Sequence, residues 1–309
     1  MKNKIPFTVI MLLFFSLTAQ ATVYVNENWD TGTPDANWPK CGSGTSFHGW
    51  EARSWDCDVN QIDGVSGGTG AGLSNAHSHS GAWSYHNVKH NNVSYDAGEI
   101  GYTLPAVYPI VYIRFYLYID NTQGGWATYG QESYADDTVH FMFVNTALSN
   151  SGFRLNLMSG AAADTWPPAC YSTSPKQNLY LNCQFWDNDC LNATSGSPLG
   201  SSCSSMDIYP KFNTWHSYEY MIDTTNNLYS FWVDGVAMFT NLNYTSSSSH
   251  TFSNDITYNG SHGVGWVLFS LFNSGAANFQ LDYYIDDIVI SDTYNGTTEG
   301  GGGTPSTTS

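Results

Sequence analysis

YPIVYIRFYLYID, residues 108–120, alternates strictly. Val111, Ile113, Phe115, Leu117 and Ile119 fall on one side; Tyr112, Arg114, Tyr116, Tyr118 and Asp120 fall on the other. A period of two built from β-branched and aromatic residues predicts a strand with one face on a core. The second face is unusual for solvent. Its phenols around a guanidinium suit stacking on sugar rings and binding of hydroxyls or carboxylates. The plainer alternative is a tyrosine-rich strand of a two-layer sandwich whose arginine pairs with a neighbouring acid.

Outward from this stretch the same period recurs. Thr22–Val25, His79–Val88, Ala97–Leu104, Thr138–Asn145 and Phe153–Met158 read as strands. So do Thr214–Asp223, Leu228–Val233, Val236–Thr240, Gly263–Phe272 and Phe279–Ser291. Asp234-Gly235 supplies a tight hairpin turn between two of them. Many short strands with turn signals and no amphipathic helix predict an all-β fold, a β-jelly roll of two antiparallel sheets. Periodicity vanishes between residues 159 and 210, where Pro, Ser, Asn and Cys dominate, so a long inserted loop is expected there. Gly64–Gly72 is glycine-rich, but no helix follows it and it lacks the lysine of a phosphate-binding loop.

The ends of the chain read differently. Lys2 and Lys4 precede the apolar run Val9–Leu17, and Ala19-Gln20-Ala21 offers a small-x-small cleavage site. Residues 1–21 are therefore expected to be a secretory signal peptide, too short for a membrane span. Residues 22–296 form the jelly-roll domain, and the Gly/Ser/Thr-rich 297–309 a linker or tail. The expected product is an exported monomer, extracellular or periplasmic, without membrane insertion. Lys and Arg number 9 against 26 Asp and Glu, a formal net charge of −17 at pH 7. That field disfavours nucleic acid, and any polyanion without a local positive cleft. Six cysteines in an exported chain read as a disulfide framework. Cys41 is expected to join Cys57; Cys170, Cys183, Cys190 and Cys203 form two bridges inside the insertion, in an order the spacing leaves open.

Three segments resemble the concanavalin A-like lectin/glucanase superfamily, in particular its secreted polysaccharide-lyase-like jelly rolls. They are NTWHSYEYMID (Asn213–Asp223), LYSFWVDGV (Leu228–Val236) and YYIDDIVISDTYNG (Tyr283–Gly296). The resemblance implies a secreted protein acting on or binding an extracellular polysaccharide. Lectins, hydrolases and lyases share the fold, so the residues must decide among them. Jelly-roll alginate lyases carry an Arg strand, a Q-[IV]-H strand and a Y-F-K-A-G segment. Arg114 is similar to the first, and Thr138-Val139-His140 to the second without its Gln. Leu271–Gly275 is similar to the third without its Tyr and Lys.

Elimination from a polyuronate needs a group to neutralise the carboxylate, a base for the C5 proton and an acid for the leaving O4. Arg114 and Arg154 are the expected neutralisers, with His140 and a tyrosine, Tyr116, exchanging protons. These side chains are expected to converge from neighbouring strands on one concave face. Tyr112, Tyr118, Asn156, Trp215, Glu219 and Trp232 are the candidate substrate contacts, with Trp126, Trp166 and Trp186 as further stacking platforms. Tyr218 is a second candidate phenol. Structural calcium, as in several related jelly rolls, would be held by Glu27 or Asp30 with Asp286 or Asp287; no organic cofactor is expected. A non-catalytic lectin-like module is the main alternative. An adhesive surface protein and a glycoside hydrolase follow; the clustered E-x-D-x-x-E strand of glucanases in this superfamily is absent. His77, His79, His86 and His90 form a loose cluster read as surface histidines.

Overall fold

The computed structural model describes residues 21–30, 46–52, 72–89, 96–120, 138–143, 153–160, 180–185, 188–192, 213–246, 257–273 and 281–296. The strands they contain pair antiparallel throughout.

The first sheet runs β4 (Gly72–Ser74), β5 (Ser84–Lys89), β18 (Leu281–Ser291), β7 (Ile110–Asp120), β12 (Trp215–Asp223), β13 (Leu228–Val233), β14 (Val236–Ser246). β1 (Val23–Glu27) joins it alongside the end of β18. The second sheet runs β2 (Ser46–Phe47), β3 (Trp50–Ala52), β6 (Asp96–Tyr108), β17 (Val264–Asn273), β8 (Thr138–Phe143), β9 (Phe153–Gly160), β10 (Tyr180–Phe185), β11 (Asn188–Asn192). β11 also pairs with β14, so the two layers are fused along one margin. A small hairpin, β15 (Thr257–Tyr258) with β16 (Ser261–His262), stands apart.

The core lies between the layers. Val111, Ile113, Phe115, Leu117 and Ile119 of β7 are all in it, facing Ile100, Leu104, Val264, Val267 and Phe269 of the second sheet. Phe115 lies flat against Tyr218 and Tyr220, with ring centroids 5.6 and 5.9 Å away. Phe269 of the other layer meets it edge-on at 5.4 Å. Pro109 is where the chain changes layer. It has no N–H to continue a ladder, so β6 ends in one sheet and β7 begins in the other. Its carbonyl is held by Thr224, which donates from its amide (2.8 Å) and its hydroxyl (2.9 Å).

Two expectations change. The stretch from 159 to 210 is not only a loop, because it contributes β10 and β11, the strands that fuse the sheets. And the strand expected over His79–Val88 begins only at Ser84, the residues before it forming bends. Cys41, Cys57, Cys170 and Cys203 lie outside the described residues, as do Trp126, Trp166, Trp186, His90 and the tail from 297. Cys183 and Cys190 sit on β10 and β11.

Candidate functional site

The outward face of the first sheet is covered by the protein itself. Arg114 is 2% exposed and stands in register between Glu219 of β12 and Val289 of β18. Its Nη1 donates to the carbonyl of Gly296 at 3.1 Å. Glu219 Oε1 accepts from the amide of Asn295 (2.7 Å) and from its Nδ2 (3.1 Å); Oε2 accepts from the amide of Gly296 (3.0 Å). The Ser291 hydroxyl, directed at Thr293 O and Asn295 Oδ1, completes a strap of residues 292–296 across the sheet. Trp232 packs between Tyr294 and Tyr112, 4.8 and 6.2 Å away. Burial outweighs the N–H donors and the Arg114 charge, and pushes Glu219 up to about 7.

The neighbouring tyrosines are covered by imidazoles. His79 stacks on Tyr116 at 3.5 Å and His77 on Tyr118 at 4.3 Å, while Trp215 packs against Tyr118 at 5.5 Å. The positions expected to receive sugar rings are thus taken by the protein's own rings. The loop carrying those histidines is latched by the middle of β18. Asp286 Oδ2 accepts from the amides of His79 (2.8 Å) and Ser80 (3.2 Å), and the Ser80 hydroxyl donates to Asp287 Oδ1 at 2.6 Å. Asp287 Oδ2 meets His79 Nδ1, and its own backbone is left-handed at φ 47°, within a β-bulge. Asp30 accepts from the amide of Ala82 at 2.6 Å, over Gly81 (φ 59°). A Cβ on Gly81 would strike that carboxylate. Glu27 accepts from the amide of Trp29 and lies 3.0 Å from His48. Glu27, Asp30, Asp286 and Asp287, from which the calcium ligands were expected to come, thus accept from protein donors, Asp286 and Asp287 sharing His79 and Ser80. No group of three or more metal ligands converges among the described residues.

Burial, then the Asp287 charge, pushes Asp286 up to about 8. Asp286 and Glu219 both have folded-state values above their unfolded ones. Their contribution to stability is complete below about pH 4 and is lost as pH rises through their folded values. Tm is expected to fall between about pH 4 and pH 8, and Asp286→Asn combined with Glu219→Gln to flatten that slope in thermal melts.

The second sheet carries the remaining candidates. Ala97, Phe272, His140, Met158 and Tyr180 are aligned residue for residue across β6, β17, β8, β9 and β10. Asn156 pairs with Phe143 and Asn182, and Arg154 with Gln184. Strand alternation puts His140, Arg154, Asn156, Asn182 and Gln184 at register positions of one face. It is the face away from the core, because Ile100 and Phe269, which oppose each other one position over from Gly101 and Leu268, point inward.

The expected convergence of Arg114 and Tyr116 with His140 and Arg154 therefore does not form. The first pair sits on the first sheet under its strap and loop, the second on the other layer. Tyr218 is in the core, its hydroxyl pushed far up by burial. Tyr180, Asn182 and Gln184 alternate in YLNCQF with Leu181, Cys183 and Phe185, and lie opposite Met158, Asn156 and Arg154.

This architecture is a two-layer, concanavalin A-like β-sandwich. Among solved structures it is similar to the cellulose-induced protein Cip1, with a TM-score of 0.51 and 15% identity over 88% of this chain and 99% of that one. It is equally similar to a GH131 β-glucanase catalytic domain from Podospora anserina, at TM-score 0.51 and 15% identity, covering 91% of this chain and 100% of that one. An endo-β-1,4-glucuronan lyase from Trichoderma reesei aligns at TM-score 0.44 and 8% identity, over 78% of this chain and 96% of that one. No family model matches the chain, and no curated protein matches it.

Proposed function

We propose that this is an exported protein that cleaves an acidic polysaccharide by β-elimination on the outer face of its second sheet. The observation that carries the reading is the pairing of β9 with β8 on one side and β10 on the other, which sets His140 and Tyr180 at positions flanking Met158 and puts Arg154 and Asn156 on the same face. Arg154 and Asn156 hold the uronate carboxylate and make its C5 proton acidic. His140 takes that proton, the C5–H electron pair forms the C4=C5 double bond, and the C4–O4 bond breaks. The proton for O4 comes from the phenol of Tyr180. Arg114 and Tyr116 have no part in this chemistry.

A panel of uronic-acid polysaccharides tests the proposal. Cleavage is expected to yield ultraviolet-absorbing unsaturated ends. New reducing ends without that absorbance mean hydrolysis, and retention with no new ends means a lectin-like module; either result overturns elimination.

A further inference from the structure

The tetrapeptide Thr-Tyr-Asn-Gly occurs twice in this chain, at 257–260 and at 293–296. The first copy turns the small β15–β16 hairpin, where Asn259 and Gly260 are exposed and both at positive φ. The second ends the strap, where Asn295 is buried and Gly296 half-buried. Asparagine before glycine is open to ring closure, because no Cβ shields the backbone nitrogen that attacks the side-chain amide. The two copies share this covalent chemistry and differ in what surrounds them.

Around Asn295 the protein supplies the parts of that reaction. Glu219 Oε2 accepts from the Gly296 N–H at 3.0 Å, the bond whose proton leaves as the nitrogen attacks. Glu219 Oε1 lies 3.1 Å from Asn295 Nδ2, the nitrogen that departs. A carboxylate only accepts, so the nitrogen end of the Asn295 amide faces it, and Oδ1 faces the Ser291 hydroxyl at 2.9 Å. One carboxyl group thus bridges nucleophile and leaving group, with a donor on the oxygen that gains charge. Burial pushes Glu219 up to about 7, which suits a group that takes and returns a proton near neutrality.

We infer that Asn295 is a self-modification site with Glu219 as its acid–base group. The Gly296 nitrogen bonds to Asn295 Cγ as its proton passes to Glu219. The Cγ–Nδ2 bond then breaks, Glu219 returns the proton to Nδ2, and ammonia leaves. Solvent water opens the cyclic imide to aspartate or isoaspartate. Either product sets a second carboxylate against Glu219, whose bonds from the Asn295 and Gly296 amides held the strap down. Like charges in a buried site repel, and residues 292–296 lift from Arg114 and Trp232.

The test is peptide mapping of the whole protein by mass spectrometry during incubation at neutral pH, reading deamidation at Asn295 and Asn259 together. Asn295 is expected to convert about tenfold or more faster than Asn259. In urea, where both copies meet only solvent, the two rates should become equal. An equal or faster rate at Asn259 in the folded protein overturns the inference; so does a ratio that persists in urea, since the fold would not be its cause. Glu219→Gln separates a base from a restraint. Loss of the base should slow Asn295 by about tenfold or more, whereas loosening a mere restraint would speed it. An unchanged or faster rate in that variant overturns the role of Glu219, and should the variant not fold, the comparison of the two copies in the unaltered chain decides. Asn295→Asp, which supplies one product directly, should lower Tm; an unchanged Tm overturns the release of the strap.

Discussion

Arg114→Ala is expected to lower folding stability by about 3–5 kcal/mol, because it removes one member of a buried charged group and leaves the others in place. Glu219, 3% exposed, would keep its carboxylate in the interior without the adjacent guanidinium, and the Gly296 carbonyl would lose its donor. The strap 292–296 would then lose one of its anchors to the sheet, keeping those from Glu219, Ser291 and Trp232. Thermal melts should show Tm falling by about 10 °C. Lysine at 114 should recover only part of the loss, since one ammonium cannot reproduce the planar fork. Turnover per folded molecule should survive. A variant that melts like the wild type and has lost turnover would return Arg114 to the active site.

His140→Ala is expected to do the reverse. Removing the base should reduce the formation of unsaturated ends by about 10²–10⁴-fold, with the loss in kcat. The melting temperature should hold, since His140 occupies a position on the face away from the core. Arg154→Ala should weaken turnover through the carboxylate it neutralises, and Arg154→Lys should restore part of it. An unchanged rate in His140→Ala would remove His140 from the mechanism.

The layer assignment was the least legible part of the sequence. Val111–Ile119 announced their core face by alternation, and the hairpin at Asp234-Gly235 was written in its turn residues. Alternation, however, says which side of a strand is apolar and not which sheet the strand joins. Arg114 and His140 both read as non-core positions of sheet strands, but they belong to strands of different layers. Pro109 was the available clue, since a proline between two long runs often marks where a ladder must stop. The burial of Tyr116 and Tyr118 could not be read from their own strand. It depends on His77 and His79, thirty-seven or more residues earlier, being drawn over them by Asp286 and Asp287 near the other end of the chain. Tyr180 lies in an alternating run, YLNCQF, but the Cys, Ser and Pro around it have the composition of a loop.

The β11–β14 seam turns the two layers into one ribbon folded back on itself, and that leaves few open margins. At its two ends, among the described residues, stand β2 and β4, two and three residues long. Strands that short offer almost no template on which another chain could add itself. A sheet protein with long bare rims would be prone to fibril growth at high concentration; here the folding-over of the ribbon guards against that association.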